Sequence, residues 1–259
     1  MRVRIFTPVV LASFLLIFAC VRNESPDRMP LSTDSELAIQ LYEVGLIAYD
    51  QLKWELAWSS FQASVEEDPK FFMPYFFMYF ISPKNSKLIA EKAFQAPAER
   101  LNQGEKLVRT AFKYLLDGED GKVVENLKKA VDLYPADPHV HKMLYIIQLQ
   151  ILKDLDGAIA SMKHTIDLLP DYPAVYNHMG YAYMNKKEYD KAEEAFDNYI
   201  RLDPLEANPY DSKGDFYMEI KEYERAYESY LKAYEINSRF EVSRKKAEKA
   251  KQLMERVSI

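Results

Sequence analysis

The apolar positions in the second half of the chain trace the same helix face twice. Tyr176, Gly180 and Tyr183 stand at i, i+4 and i+7, and Tyr210, Gly214 and Tyr217 repeat them 34 residues later. That spacing lays each trio along one side of a helix. After a polar stretch, Ala192 and Phe196 sit four apart on a second helix and recur as Ala226 and Tyr230. Pro204, just beyond Leu202, stops the second helix of its unit. A Gly between two aromatics predicts that the paired helices approach closely at that point. A pattern returning at a fixed interval predicts one helix pair stacked many times.

The interval continues upstream. Ala158, Met162 and Pro170 precede Ala192, Phe196 and Pro204 by 34, and Val123, Leu127 and Pro135 lie 35 before those. Ala57, Phe61 and Pro69 lie 66 earlier again, with Ala90 and Phe94 marking the unit between and Gly45 and Tyr49 on the first helix of the array. Units therefore run over 38–69, 70–103, 104–138, 139–172, 173–206 and 207–240. Pro97 closes the second unit a turn early, and Ile146 stands in the fourth where Gly is usual, which predicts a slight splay.

This pattern closely resembles the tetratricopeptide repeat, whose own is aromatic-x2-Leu-Gly-x2-Tyr followed by Ala-x3-Phe and Pro. The resemblance implies an all-α fold, a right-handed superhelical solenoid of antiparallel helix pairs with a concave groove for a protein or peptide partner. Subtracting the stacked motif residues leaves Ala174, Asn177, Tyr181 and Met184, then Asn208, Asp211, Asp215 and Met218, to line that groove. Asp211 and Asp215 would repel a C-terminal carboxylate. With Asn177, Tyr181 and Asn208 they suit an extended segment bearing Lys or Arg. The bland reading is a solvated polar face.

Two segments depart from the periodic background. In Phe71–Phe80 seven of ten residues are aromatic, so apolar groups occur on every side of the helix. Such a helix is either core or a dock, with Phe72, Tyr75, Phe76 and Tyr79 as the candidate contacts for a partner or a small ligand. Residues 241–259 form a terminal helix whose apolar stripe contains Val242, Ala247, Ala250, Leu253, Met254 and Val257. Its other face carries Arg244, Lys245, Lys246, Lys249, Lys251 and Arg256, which reads as a polar cap or as a dock for anionic lipid or an acidic partner.

The beginning of the chain sets the expected compartment. Arg2 and Arg4 precede an apolar run from Ile5 to Ala19, short for a membrane span and of signal-peptide character. Cys20, the one cysteine, follows it and resembles the lipid-bearing residue of a bacterial lipobox. The resemblance implies cleavage after Ala19, acylation of Cys20 and a location in the cell envelope facing the periplasm or exterior. The alternatives are an uncleaved anchor or an ordinary signal peptide. Residues 1–19 are thus read as leader, 20–35 as a flexible tether, 36–240 as the repeat array and 241–259 as the cap.

Charge and chemistry narrow the function. A net charge of −6 and a pI near 5.4 argue against a nucleic-acid protein. His139 and His141 are two apart, so a helix sends them to different faces, and no phosphate-cradling Gly loop is present. Neither metal nor cofactor is expected, nor an enzyme. The expectation is a membrane-tethered scaffold or adaptor, with a small-ligand sensor using residues 71–80 as the other class.

Overall fold

The computed structural model describes residues 28–257; residues 1–27, which include the expected leader and Cys20, and residues 258–259 lie outside the described residues. Among the described residues there is no strand. Six antiparallel pairs follow one another: α1 (Glu36–Asp50) with α2 (Trp54–Glu67), α3 (Met73–Ile81) with α4 (Ser86–Ala93), and α5 (Gln103–Asp117) with α6 (Asp120–Leu133). Then come α7 (Pro138–Ile146) with α8 (Leu155–Leu168), α9 (Pro173–Asn185) with α10 (Tyr189–Leu202), α11 (Ala207–Glu219) with α12 (Tyr223–Ile236), and finally α13 (Glu241–Val257).

Local signals set the ends of these helices. The Asn102 side chain accepts from Glu105 N–H at 3.0 Å while Glu105 accepts from Asn102 N–H at 3.3 Å, a reciprocal cap that starts α5. Proline occupies the first turn of α3, α7 and α9, where no intrahelical N–H is needed. The turn between paired helices passes through a left-handed residue at Leu52, Gly118, Lys153, Lys187 and Lys221. The second unit uses a 3-10 turn, Pro83–Asn85, instead; its helices are only 9 and 8 residues long, the second ending at Ala93 ahead of Pro97 as expected, the short first one not foreseen.

The motif residues are explained by the packing. A Cβ on Gly180 would come within 2.6 Å of the Phe196 ring, and one on Gly214 within 2.5 Å of Tyr230. Gly45 stands in the same relation to Phe61, so the second helix drives its aromatic into a notch that only Gly leaves open. The Pro that ends a unit is also tied to the next one. Tyr75, Tyr176 and Tyr210 donate their hydroxyls to the carbonyls of Pro69, Pro170 and Pro204 at 3.2, 3.0 and 3.2 Å, and His141 meets the Pro135 carbonyl at 2.8 Å. In the fourth unit Ile146 is buried where the notch would be, and the helix widens directly afterwards into a π turn, Ile147–Ile151.

Two features depart from the sequence reading. The tether is not wholly free, because residues 29–34 lie as a strap across the starts of α5 and α7. Met29 N–H donates to Asp137 at 3.1 Å and Ser32 N–H to Glu105 at 3.0 Å, while Asn102 donates to the Pro30 carbonyl at 2.5 Å. The Met29 side chain is buried beside Gly104, where a Cβ would come within 2.6 Å of its sulfur. The strap holds because an extended segment leaves its N–H groups unpaired, and the caps of α5 and α7 offer carboxylates to receive them.

The second departure is that the array closes on itself. The turn after α1 reaches across to the later units. Asp50 pairs with Lys142 of α7 and accepts from the Tyr172 hydroxyl at 2.9 Å, while Lys53 pairs with Glu206 at 3.1 Å. The Lys142 ammonium lies 4.4 Å from the Tyr49 ring centre. Burial draws Lys142 well below the usual lysine range.

Candidate functional site

The polar face of the last two units is where the sequence places a groove. Its residues come together as expected, but most of their hydrogen-bonding groups are already paired within the chain, the buried Asn177 Oδ1 being left without a partner. Asn208 accepts from Tyr199 at 3.0 Å and faces Asn177 at 3.4 Å, both amides being buried. Asp215 accepts from Tyr181 at 2.9 Å and from Tyr230 at 2.7 Å. Asp211 accepts from Ser243 of α13 at 2.5 Å. Lys246, also of α13, sits between the two carboxylates, 2.7 Å from Asp211 and 2.8 Å from Asp215. The cation expected from a partner is therefore supplied by the chain itself. Burial alone would lower the Lys246 pKa, but the bonds to Asp211 and Asp215 outweigh it and raise it. Burial, reinforced by Asp215, pushes the Tyr181 and Tyr230 hydroxyls far up, so both remain donors.

This corrects the groove assignment. Asp211 and Asp215 seat α13, which continues the stacking order as the first helix of a further unit would, while Asn177, Tyr181 and Asn208 are bonded within the last two units. The sequence contains the signal, since Lys246 follows Asp211 by 35 residues, one repeat length. Val242 points outward, whereas Ser243, Ala247 and Ala250 face the array.

The aromatic segment takes its core reading. Phe72 is fully buried and Tyr75 and Phe76 nearly so, while Tyr79 and Phe80 are partly exposed. Phe76 and Tyr79 set their edges against Phe112 at centroid separations of 5.6 and 4.9 Å, the geometry aromatic pairs prefer. The void beside Phe76, Phe77 and Phe80 measures about 10 Å³, no more than about one water-sized probe fills. Apart from part of Tyr79 and Phe80 these residues have little surface to offer a partner, and the void beside them has no room for a ligand, because their rings pack against α1, α2 and α5.

An open site lies where closure brings the two ends of the array together. Gln51, Lys53, Trp54, Glu55 and Leu56 face Glu206, Asn208, Asn237, Arg239 and Phe240 across a cleft of about 520 Å³. Trp54 and Leu56 are 45% and 48% exposed, large values for apolar side chains, and Leu205 beside Glu206 is 85% exposed. Lys53 and Glu206 bridge the cleft as an ion pair, while Arg239 has no ion-pair partner among the described residues. The lining thus offers apolar surface, amides, one pair of bridged charges and a free guanidinium. Apart from Asn208, none of these residues stands out in the sequence, because they come together only through contacts about 150 positions apart, such as Lys53 with Glu206.

With this geometry in view, the relatives can be compared. Residues 173–204 and residues 207–240 each match a family model described as tetratricopeptide repeat. These two segments are tetratricopeptide repeats. The matched repeats are α9–α10 and α11–α12, the two pairs with a complete Gly–aromatic notch and a Tyr–Pro bond. Among solved structures, TTC0263, a thermophilic tetratricopeptide protein from Thermus thermophilus, is similar in fold with 18% identity. The match covers 82% of this chain and 98% of that one, at a TM-score of 0.51. MamA is 25% identical over 61% of this chain and 94% of its own, with a TM-score of 0.49. No curated protein matches the sequence.

Proposed function

We propose that the chain is a non-catalytic scaffold, held to a bacterial envelope membrane by lipid on Cys20 and facing the periplasm or exterior. It captures a partner polypeptide at the cleft between Trp54 and Phe240. The observation that carries this reading is the cleft itself, which gathers half-exposed Trp54 and Leu56 around 520 Å³ within a repeat array. Exposed apolar surface of this kind, edged by charged and amide groups, marks interaction sites. Interfaces also draw most of their energy from a few aromatic and arginine anchors, and Trp54 and Arg239 are of those types. Met29, where the strap begins, follows Cys20 by nine positions, so the linker can reach at most about 30 Å, which would keep the array close to its anchor.

The site is tested by placing a photoreactive phenylalanine analogue at Leu56, Phe240 or Tyr181 in the intact cell. Capture of one partner from Leu56 and Phe240, lost on Trp54→Ala, is the expected result. Capture from Tyr181 alone would move the site back to the last two units. The anchor is tested separately: Cys20→Ser should lose metabolic fatty-acid labelling and leave the membrane fraction. If that variant labels and fractionates like wild type, lipid is not on Cys20.

A further inference from the structure

The terminal helix uses its two faces differently. Residues 241–257 contain six Lys or Arg and three Glu in a chain whose net charge is −6. Two of the cations are committed. Lys246 is seated on Asp211 and Asp215, and Arg244 is tied to Glu241 at 2.8 Å and Glu248 at 2.5 Å. Lys245, Lys249, Lys251 and Arg256 are exposed and have no ion-pair partner among the described residues, and Glu255 is the helix's one unpaired acid. Lys245, Lys249 and Arg256 stand at i, i+4 and i+11, which brings them within about 40° of one line on a helix of 3.6 residues per turn. Gln252 and the exposed Val242 flank that line.

This stripe is flat. Its single apolar side chain is Val242, and it has neither an aromatic anchor nor a pocket, the features that give a protein interface its energy. A charged bilayer asks for no shape complementarity. It attracts each nearby Lys or Arg by roughly 1 kcal/mol and does so across a plane. The remainder of the molecule is acidic, so an anionic surface repels the other faces and turns this one towards itself.

We propose that the outer face of α13, along Lys245, Lys249 and Arg256, docks on an anionic membrane surface. The inference rests on the membrane-tethered reading above for its biological setting, in which a linker reaching at most about 30 Å would hold the array near the headgroups. α13 thereby has two roles: Lys246 locks it to the last repeat, and the opposite face lays the array against the bilayer.

The test uses the unacylated chain from residue 20 onward carrying Cys20→Ser, which retains every described residue. It is sedimented with phosphatidylcholine vesicles made with and without phosphatidylglycerol, at low and high salt. Retention is expected only on the phosphatidylglycerol vesicles and should disappear at high salt, where screening shortens to about 3 Å at 1 M. Combining Lys245→Glu, Lys249→Glu and Arg256→Glu should weaken binding at least tenfold, given about fivefold per lost cation. The single variants Lys245→Glu and Lys249→Glu, each at an exposed position, should give part of that loss with an unchanged melting curve. Equal binding to neutral vesicles, no binding to either kind, or an undiminished triple variant would overturn the proposal. These outcomes are independent of whether Cys20 labels in cells, so the anchor and the docking face can fail separately. Capture of an acidic protein by the same stripe without vesicle binding would also refute membrane docking.

Discussion

Gly180→Ala pits two effects of similar size and opposite sign against each other. In a helix interior, replacing Gly by Ala stabilises by roughly 0.5–1 kcal/mol through the unfolded chain. At Gly180, however, the new methyl would lie 2.6–2.8 Å from three atoms of the Phe196 ring. That ring cannot easily retreat. Phe196 is fully buried, with Tyr181 edge-on at 5.2 Å and Phe216 at 6.0 Å. Forcing a methyl into such a notch costs about 1–3 kcal/mol, so Gly180→Ala should be destabilising by about 1 kcal/mol net. Gly121→Ala on α6 is the matched control, because nothing lies within 4 Å of its added Cβ; it should be neutral or stabilising. Urea denaturation followed by far-UV circular dichroism measures both. The cause is isolated by a double-mutant cycle with Phe196→Leu: if methyl and ring collide, the two changes together cost less than their sum by about 1 kcal/mol. A Gly180→Ala midpoint that rises as Gly121→Ala does, or a cycle with no coupling, would show that the helices are not held at that crossing by the ring.

Three further outcomes follow from other contacts. Asp50→Ala leaves Lys142 buried without its carboxylate and should cost about 3–5 kcal/mol, together with a larger radius of gyration in solution scattering as the closure opens; an unchanged radius would mean that the turn does not hold the array shut. His178 is held down to about 3 by burial, with Lys142 adding to the effect, so its contribution is fully present above the unfolded value near 6.5 and is lost as pH falls from there towards 3. Stability should drop by up to about 1.4 kcal/mol per pH unit from this one group, and His178→Gln should flatten that slope; an equally steep slope in the variant would assign it elsewhere. Met29→Asp should release the strap from Gly104 and Tyr134, exposing residues 29–34 to limited proteolysis while the helical signal persists, and resistance equal to wild type would show that Met29 does not clamp it.

How far the sequence can be read depends on the range of the interaction. The Gly–aromatic notch and the stop at Pro are written within one unit and repeated, so the period locates them before any coordinates do. Tyr75 and His141 belong to the same scheme, six residues after Pro69 and Pro135, although neither sits in a recognisable motif. The closure is not local. It depends on the small rotation between successive units accumulating until the turn at Asp50 meets Lys142 and Tyr172, and no single repeat encodes that sum. The shortened second unit and the π turn after Ile146 both alter it, and neither leaves a periodic mark from which the meeting point could be calculated. The same reasoning explains why the expected groove residues prove to be structural. Asp211 and Asp215 look unsatisfied when their own helix is read alone, as like charges four apart do. They become a socket once α13 is counted as the next member of the stack. A repeat face near the end of an array is therefore open only if the terminal helix leaves it so, and here Ser243 and Lys246 fill it. The open cleft lies instead where the array's two ends meet, lined by Trp54, Leu56, Arg239 and Phe240.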